Sequence, residues 1–598
     1  MKMKYFISNI FVVVLFTLSG CKKDFLVRTP QGSLSGEEMG NKKGVNVLLV
    51  GAYAALSAQD YINENIVSLG GGNAWGVSAS NWLLGSVAGG DAHKGSDGTD
   101  QPSFIPIFNF TITPTNDIIN DKWNADYEGI DRCNNVLKFS EEASDLIGDE
   151  RSNVRAQAHF LRAHYYFDLK RLFNMVPWID EHNTDKLQPN DVDIWPDIEK
   201  DMQLAYDSLP ATQSDIGRVN KWAAAAYLGK IYMYEKKYSD AQKTFAQVIL
   251  SGNTTNGIKY DLNPAFAHNY MPQYEEGNPE AVFVLENAAN TSTGAINNGN
   301  QGDILNFPYG GNSPFSCCGF FQPSFDLVNS YRTDANGLPF LDDYNNHAVK
   351  SDMGVLSTDD FTPDNGNLDP RLDWTVGRRG IPYLDWGIEP GQDWVRLQSY
   401  AGPYAPIKNV YWSATQDIYG DQAQWAPGSA INVFFIRYAD VLLMAAEAEA
   451  QAGSLTTAED YVNRVRHRMI DHPENWVKKY IDDDDPSQGF SDENAANYKI
   501  AAYPPGAFNS KDYALKAIYF ERKLELGMEG QRFFDLVRWG TAADAINAYF
   551  AFEGKLVTDV RGAHFMANKN EIDPIPQIQI DLTKKGGQTT LKQNPGYQ

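Results

Sequence analysis

Three kinds of residue in this 598-residue chain could carry chemistry: carboxylates at helical spacing, scattered histidines, and aromatic rings set among glycine, proline and asparagine. Glu521 and Glu525 stand four apart, with Arg522, Glu529 and Arg532 close by. Two carboxylates about 5–9.5 Å apart across a cleft form the working pair of a glycoside hydrolase. A helix face gives that separation but no cleft, so the spacing reads instead as charge pairs that knit helices together. His159 and His164 are five apart and do not share a helical face, which points to packing rather than metal ligation. The run Asp482–Asp485 lacks the glycine and glutamate of a calcium loop and reads as a solvated acidic loop. Asp334-Ala335-Asn336-Gly337 is a turn sequence. H-E-x-x-H, G-x-S-x-G and G-x-x-x-x-G-K do not occur, and neither a metal nor a cofactor is expected.

The rings suit another task. The chain holds 13 Trp, 31 Tyr and 31 Phe, a surplus that a core alone does not demand. Trp75, Trp82 and Asp91 fall in a glycine-rich stretch, 70–105, that has no sustained period and has the composition of a long functional loop. Tyr309, Phe315 and Phe320 lie in a Pro/Gly/Asn segment, followed by Trp386, Trp394, Tyr404 and Trp412. A sugar ring offers axial C–H bonds to an aromatic face, and nearby Asn, Asp and Gln satisfy its hydroxyls. Rigid rings supply such contact at little entropic cost. Each ring could also plug the core beneath its own loop; the expectation is that at least two line a saccharide site.

One thiol has a distinct chemistry. Lys2 and Lys4 precede an apolar run from Ile10 to Leu18, too short to span a bilayer but right for a cleavable export signal over residues 1–20. Leu18-Ser19-Gly20-Cys21 follows, similar to a lipobox, in which small residues precede the cut and the sulfur of the next residue takes the diacylglyceryl group. Buried acyl CH₂ groups, each contributing about 0.8 kcal/mol, then hold the protein to a membrane. The other cysteines, Cys133, Cys317 and Cys318, are too few for a disulfide scaffold, and the adjacent pair is expected as free or buried thiols. The formal charge of −25 becomes −27 once Lys2 and Lys4 are removed, which argues against nucleic acid and a polybasic membrane contact.

The elements that must position these residues are mostly helical. Residues 21–40 read as a lipidated tether, and 41–598 as one domain. Helical spacing runs over Val45–Ala58, Asp117–Phe139, Arg151–Phe173 and Asp191–Ser208. In Arg218–Leu250, Leu228, Gly229 and Tyr232 on one helix and Ala241 and Phe245 on the next match a tetratricopeptide unit. A weaker copy spans Tyr438–Met469, and helix returns over Asp512–Glu529 and Gly530–Tyr549. The expected fold is mainly α: tetratricopeptide-like helical repeats, about 41–250 and 431–550, interrupted by a loop-rich insertion, about 255–430, with short strands such as Ala281–Leu285.

Several motifs together resemble the SusD/RagB family. They are Asp369-Pro370-Arg371-Leu372, then Arg437-Tyr438-Ala439-Asp440, then Glu521-Arg522-Lys523-Leu524-Glu525-Leu526, Glu529-Gly530-Gln531-Arg532 and Asp535-Leu536-Val537-Arg538-Trp539-Gly540, with Asn594-Pro595-Gly596-Tyr597 at the end. The resemblance implies a non-catalytic lipoprotein on the outer face of an outer membrane, whose repeat helices meet a TonB-dependent transporter. It implies capture of oligosaccharides or, in the RagB branch, of peptides. A surface glycoside hydrolase is the reading from another class.

The lipid claim has a direct check. Cys21→Ala is expected to leave the protein unprocessed or to release it from the membrane fraction. A mutant of unchanged mass and fractionation would contradict it.

Overall fold

The computed structural model describes residues 36–62, 65–183, 185–291, 298–421, 426 and 428–597. Cys21, the signal segment and most of the tether therefore lie outside the described residues. Eleven helices of eight or more residues make up most of the regular structure: α1 (Lys42–Ala54), α2 (Asp117–Glu142), α3 (Gly148–Phe173), α4 (Trp195–Ser208), α5 (Lys221–Tyr234), α6 (Tyr238–Ser251), α7 (Tyr438–Ala452), α8 (Leu455–Asp471), α9 (Lys511–Leu526), α10 (Arg532–Trp539) and α11 (Ala542–Glu553). Many begin where a short polar side chain satisfies the orphan backbone donors. Asn41 caps α1, Asn116 caps α2, Asn220 caps α5, Ser454 caps α8 and Ser510 caps α9.

The helices stack in a row, α1 on α2, α2 on α3, and so on to α6, which packs directly on α7; α7 then meets α8 and α9. The two repeat units are thus neighbours in space, although the insertion separates them in sequence. Within the first unit, a Cβ on Gly229 would lie 2.5 Å from the Phe245 ring. Only glycine lets α5 and α6 approach that closely. Strands come in pairs: β1 (Ala92–Gly95), β2 (Ala281–Leu285), β3 (Phe320–Pro323), β4 (Val433–Arg437), β5 (Lys478–Tyr480) and β6 (Phe490–Asn494). β1 pairs with β3, β2 with β4, and β5 with β6, all antiparallel. The β2–β4 pair brings the insertion's start back against the strand that leads into α7.

Three local expectations change. The helix expected over Gly530–Tyr549 is two, α10 and α11, because Gly540 turns left-handed at φ 74° and ends the first. Cys317 and Cys318 are joined to each other in a disulfide. The glycine-rich stretch 70–105 is no open loop. Its Trp82–Val87 portion forms a buried π-helical turn, and a Cβ on Gly85 would meet the Gly530 carbonyl, one on Gly89 the Phe533 amide, and one on Gly95 the Gly319 carbonyl. The glycines serve close backbone approach, not loop mobility.

Charged residues of the sequence motifs meet at the centre. Arg371 contacts Asp369, Glu521 and Glu525; Arg466 contacts Glu521; Arg437 contacts Glu280, Glu525 and Glu529; Arg468 contacts Glu280 and Glu525; and Lys408 contacts Glu529. Five cations thus face five carboxylates in one connected, almost fully buried network. The expected charge pairs exist, but they run between distant elements rather than along one helix. Arg522 follows the same rule, bonding Asp440 and Asp535. Phe266 presents its ring to three of the cations, with Lys408 Nζ at 4.9 Å, Arg468 Cζ at 4.8 Å and Arg437 Cζ at 5.8 Å from its centroid.

Burial opposes ionisation of Glu525 and Glu529. The guanidinium groups of Arg468, Arg437 and Arg371 nevertheless hold Glu525 well below the usual carboxylate range, and Arg437 with Lys408 holds Glu529 at about 2. A depressed carboxyl pKa stabilises the fold above its unfolded value, here 4.5, and that contribution fades as pH falls toward 2. Glu525→Gln is expected to cost about 3–5 kcal/mol at neutral pH, as one buried partner is lost, and to flatten the acid limb of the stability curve. Denaturant titration across pH 2–7, about the window of that titration, checks both. An unchanged midpoint would remove the network from its central place.

Candidate functional site

A groove of about 390 Å³ opens on the insertion side of α8 and is walled by rings from segments far apart in sequence. Small-molecule sites usually occupy about 300–1,000 Å³. Trp374, Trp412, Trp476, Tyr274 and Phe490 line it, with His268, Asp373, Glu474, Asn475 and Lys478 as its polar groups. Two other depressions are less suited to a saccharide. One of about 60 Å³ beside Lys408 and Asn409 is too small, and a shallow one of about 610 Å³ over α1 has no ring among its lining residues.

Each ring is fixed from behind. Trp374 belongs to a short helix, Leu372–Thr375, that starts at the buried Arg371, and its indole N–H donates to the Asn475 carbonyl at 2.9 Å. Trp476 follows the end of α8 and donates to the Met469 carbonyl at 2.8 Å. His268 and Tyr274 leave the 3₁₀ turns that begin at Phe266 and stack on each other, centroids 3.6 Å apart and planes within 12°. Burial lowers the His268 pKa, which favours the neutral imidazole. Phe490, on β6, stacks on Tyr480 at 5.1 Å and meets the Trp412 edge at 6.0 Å. The Asp385 carboxylate accepts from the Ser413 and Ala414 amides and so pins the loop that presents Trp412.

The two carboxylates of the groove differ in their surroundings. Asp373 is 1 % exposed; Arg378 binds both its oxygens, at 2.6 and 2.9 Å, and the Tyr498 hydroxyl donates to it at 2.6 Å. Glu474 stands exposed on the rim, where His472 contacts it. Among the described residues no group of three or more His, Cys, Asp or Glu is arranged to hold a metal ion.

Of the ring residues singled out from sequence, Trp412 alone lines this groove. Phe315, Trp394 and the half-buried Trp386 gather in an aromatic cluster behind it, with Phe307, Tyr383 and Tyr411, against which Trp374 and Trp412 pack. Trp386 donates to the Tyr411 carbonyl and Trp394 to the Asn312 carbonyl, which fixes both indoles within the cluster. Others sit elsewhere in the core. Trp82 is 1 % exposed, lies among Phe104, Phe320 and Phe321, and donates to the Trp75 carbonyl. Trp75 itself is half-buried against the same core. Phe320 is fully buried, and Tyr404 is buried on Phe325. Tyr309 is half-buried and bridges Val395 through its backbone. Asp91 accepts from the Met528 amide, and burial, partly offset by Arg532 and Lys523, raises its pKa to about 6. The rings of Trp82, Phe315, Phe320, Trp394 and Tyr404 are enclosed by protein and present no open face for stacking, and the Asp91 side chain is likewise buried. Trp374, Trp476, Tyr274, His268 and Phe490 escaped the sequence reading. Only Trp374 carried a local hint, through the motif Asp369-Pro370-Arg371 just before it.

A family model described as the SusD family matches residues 279–597, and one described as starch-binding associating with outer membrane matches residues 73–233. SusD-like protein P2 of Formosa agariphila is 25% identical over 615 aligned residues, covering 98% of this chain and 99% of its own. A SusD-like protein of Bacteroides ovatus is 23% identical, covering 90% of this chain and 83% of its own. Among solved structures, a laminarin binding SusD-like protein aligns over 93% of this chain and 100% of its own, with a TM-score of 0.61 at 23% identity. Surface glycan-binding protein A of Bacteroides thetaiotaomicron, in complex with laminarihexaose, aligns over 93% and 99% with a TM-score of 0.62 at 20% identity. Because the first model spans more than half of the sequence, the chain belongs to the SusD family.

Proposed function

We propose that this protein is a lipid-anchored, outward-facing outer-membrane protein that binds oligosaccharide in the aromatic groove and passes it to a TonB-dependent transporter without cleaving it. The observation that carries the binding step is the groove itself, where five aromatic residues brought from distant parts of the chain form the walls and the indoles of Trp374 and Trp476 are locked by internal hydrogen bonds. Rings held in this way bind with little loss of entropy. The relatives support the ligand class, since two structural neighbours are described as laminarin-binding and as a laminarihexaose complex. The saturation of Asp373 supports binding without turnover. The lipobox at Cys21 supports the anchor. The row of helices α1–α9 offers the extended surface that repeat proteins use for large partners. We read residues 41–598 as one folding unit in which that row faces the transporter.

Stacking sites lose about 2 kcal/mol or more when a central indole is truncated, so Trp374→Ala and Trp412→Ala are each expected to weaken oligosaccharide binding roughly thirtyfold. Trp82→Ala is expected to lose about 3–5 kcal/mol of stability and to keep normal affinity while folded. Calorimetric titration and thermal melting of the three variants separate the roles, and the oligosaccharide should be recovered intact. Normal binding by both groove variants, or loss of binding with Trp82→Ala alone, would move the site. For the partner, tagged protein purified in mild detergent is expected to bring down a large barrel in near-equal amount; recovery of the protein alone counts against the transporter.

A further inference from the structure

One wall of the groove carries an unusual charge. Val477, Lys478 and Phe490 reach the groove from the β5–β6 hairpin, whose turn holds Asp482, Asp483, Asp484 and Asp485, all exposed. β6 adds exposed Asp492 and Glu493, and the segment before β5 adds exposed Glu474. Against these seven carboxylates stand two lysines on the hairpin. Lys479 is paired with Glu493 at 2.9 Å, and Lys478 Nζ is held by the Pro473 carbonyl at 3.0 Å and the Asn494 amide oxygen at 2.6 Å.

Apart from Lys478, the interior offers an anion little in exchange. No lining residue is an arginine, the side chain whose planar fork best matches sulfate or carboxylate. The nearby Arg378 is committed to Asp373. His268 is stacked on Tyr274, and its burial favours the neutral ring. An anionic saccharide would therefore meet a rim of seven carboxylates, against which Lys478, hydrogen-bonded to two neutral oxygens, is the one lysine or arginine among the described lining residues. Fields of this kind act over about 8 Å at physiological ionic strength, and like charges brought together discriminate strongly between partners.

We infer that the groove selects uncharged saccharides, and that the acidic β5–β6 hairpin is the element that excludes sulfated and uronic-acid chains. The inference rests on the reading of the groove as an oligosaccharide site and adds its chemical class. The charge sits on the exposed turn Asp482–Asp485, apart from Phe490, the ring that the same hairpin lends to the groove.

The test uses the full-length lipoprotein in detergent and a panel of neutral polysaccharides (laminarin, xyloglucan, galactomannan) beside anionic ones (polygalacturonate, alginate, carrageenan). Affinity electrophoresis finds which retard the protein. The retained neutral polysaccharide is then compared with its own chemically sulfated derivative, at about 20 mM and about 300 mM NaCl. The comparison is repeated for the variant Asp482→Asn, Asp483→Asn, Asp484→Asn, Asp485→Asn, whose changes lie on an exposed turn. Sulfation is expected to weaken binding by about tenfold or more at low salt, and high salt or the variant should recover most of that loss. Equal or tighter binding of the sulfated form, retention confined to the anionic members, or a penalty unmoved by both salt and substitution would overturn the inference while leaving the saccharide site standing. Retention of no member of the panel would overturn the saccharide reading itself, and this inference with it.

Discussion

The buried network of five cations and five carboxylates is the constraint on which the rest of the molecule depends. Its members come from the insertion (Glu280, Asp369, Arg371, Lys408), from the strand entering the second repeat (Arg437), from α8 (Arg466, Arg468), and from α9 with the turn after it (Glu521, Glu525, Glu529). Taking such charges out of water costs several kcal/mol per ion, and only mutual pairing with good geometry offsets it. Loss of any one member leaves a partner buried and uncompensated, and the pairings tie the insertion to the helices. Stability alone does not require this design, since apolar residues of similar volume would serve as well or better. What the ions add is a defined register between segments that share no sequence period.

That register reaches the groove directly. Trp374 lies three residues beyond Arg371. Trp476 follows α8, whose Arg466 and Arg468 sit in the network. The segment bearing His268 and Tyr274 begins at Phe266, the ring covered by Lys408, Arg437 and Arg468. Two of the groove's walls thus follow from network residues, and a third starts at the ring packed on the network's cations. The fourth, Trp412 with Phe490, is set by the aromatic cluster behind it and by the β5–β6 pairing. Rigid presentation of aromatic faces then follows from the same interactions that fold the chain.

Much of the scaffold was legible in the sequence because helical repeats write their packing locally. Gly229 and Phe245 mark the closest approach of α5 and α6 by residue type alone, and asparagine or serine stands before many helices. The signature glutamates and arginines were legible as structural charges, but their partners were not, since Glu525 meets Arg371 and Arg437 across 154 and 88 residues of chain. The site was legible only as a composition. Glycine around Trp75 and Trp82 resembles a mobile loop, yet Gly85 and Gly530 show that it allows two backbones to touch. The groove's rings come from positions 268 to 490, assembled by tertiary contact, and no spacing within one segment announces them.

The most direct measurement is the position of a neutral oligosaccharide in a crystal of its complex with this protein. Sugar rings are expected on the faces of Trp374, Trp412 and Trp476, with hydroxyls near Asn475, Glu474 and Lys478 and no break at a glycosidic bond. A ligand seated elsewhere, with this groove holding only solvent, would contradict it.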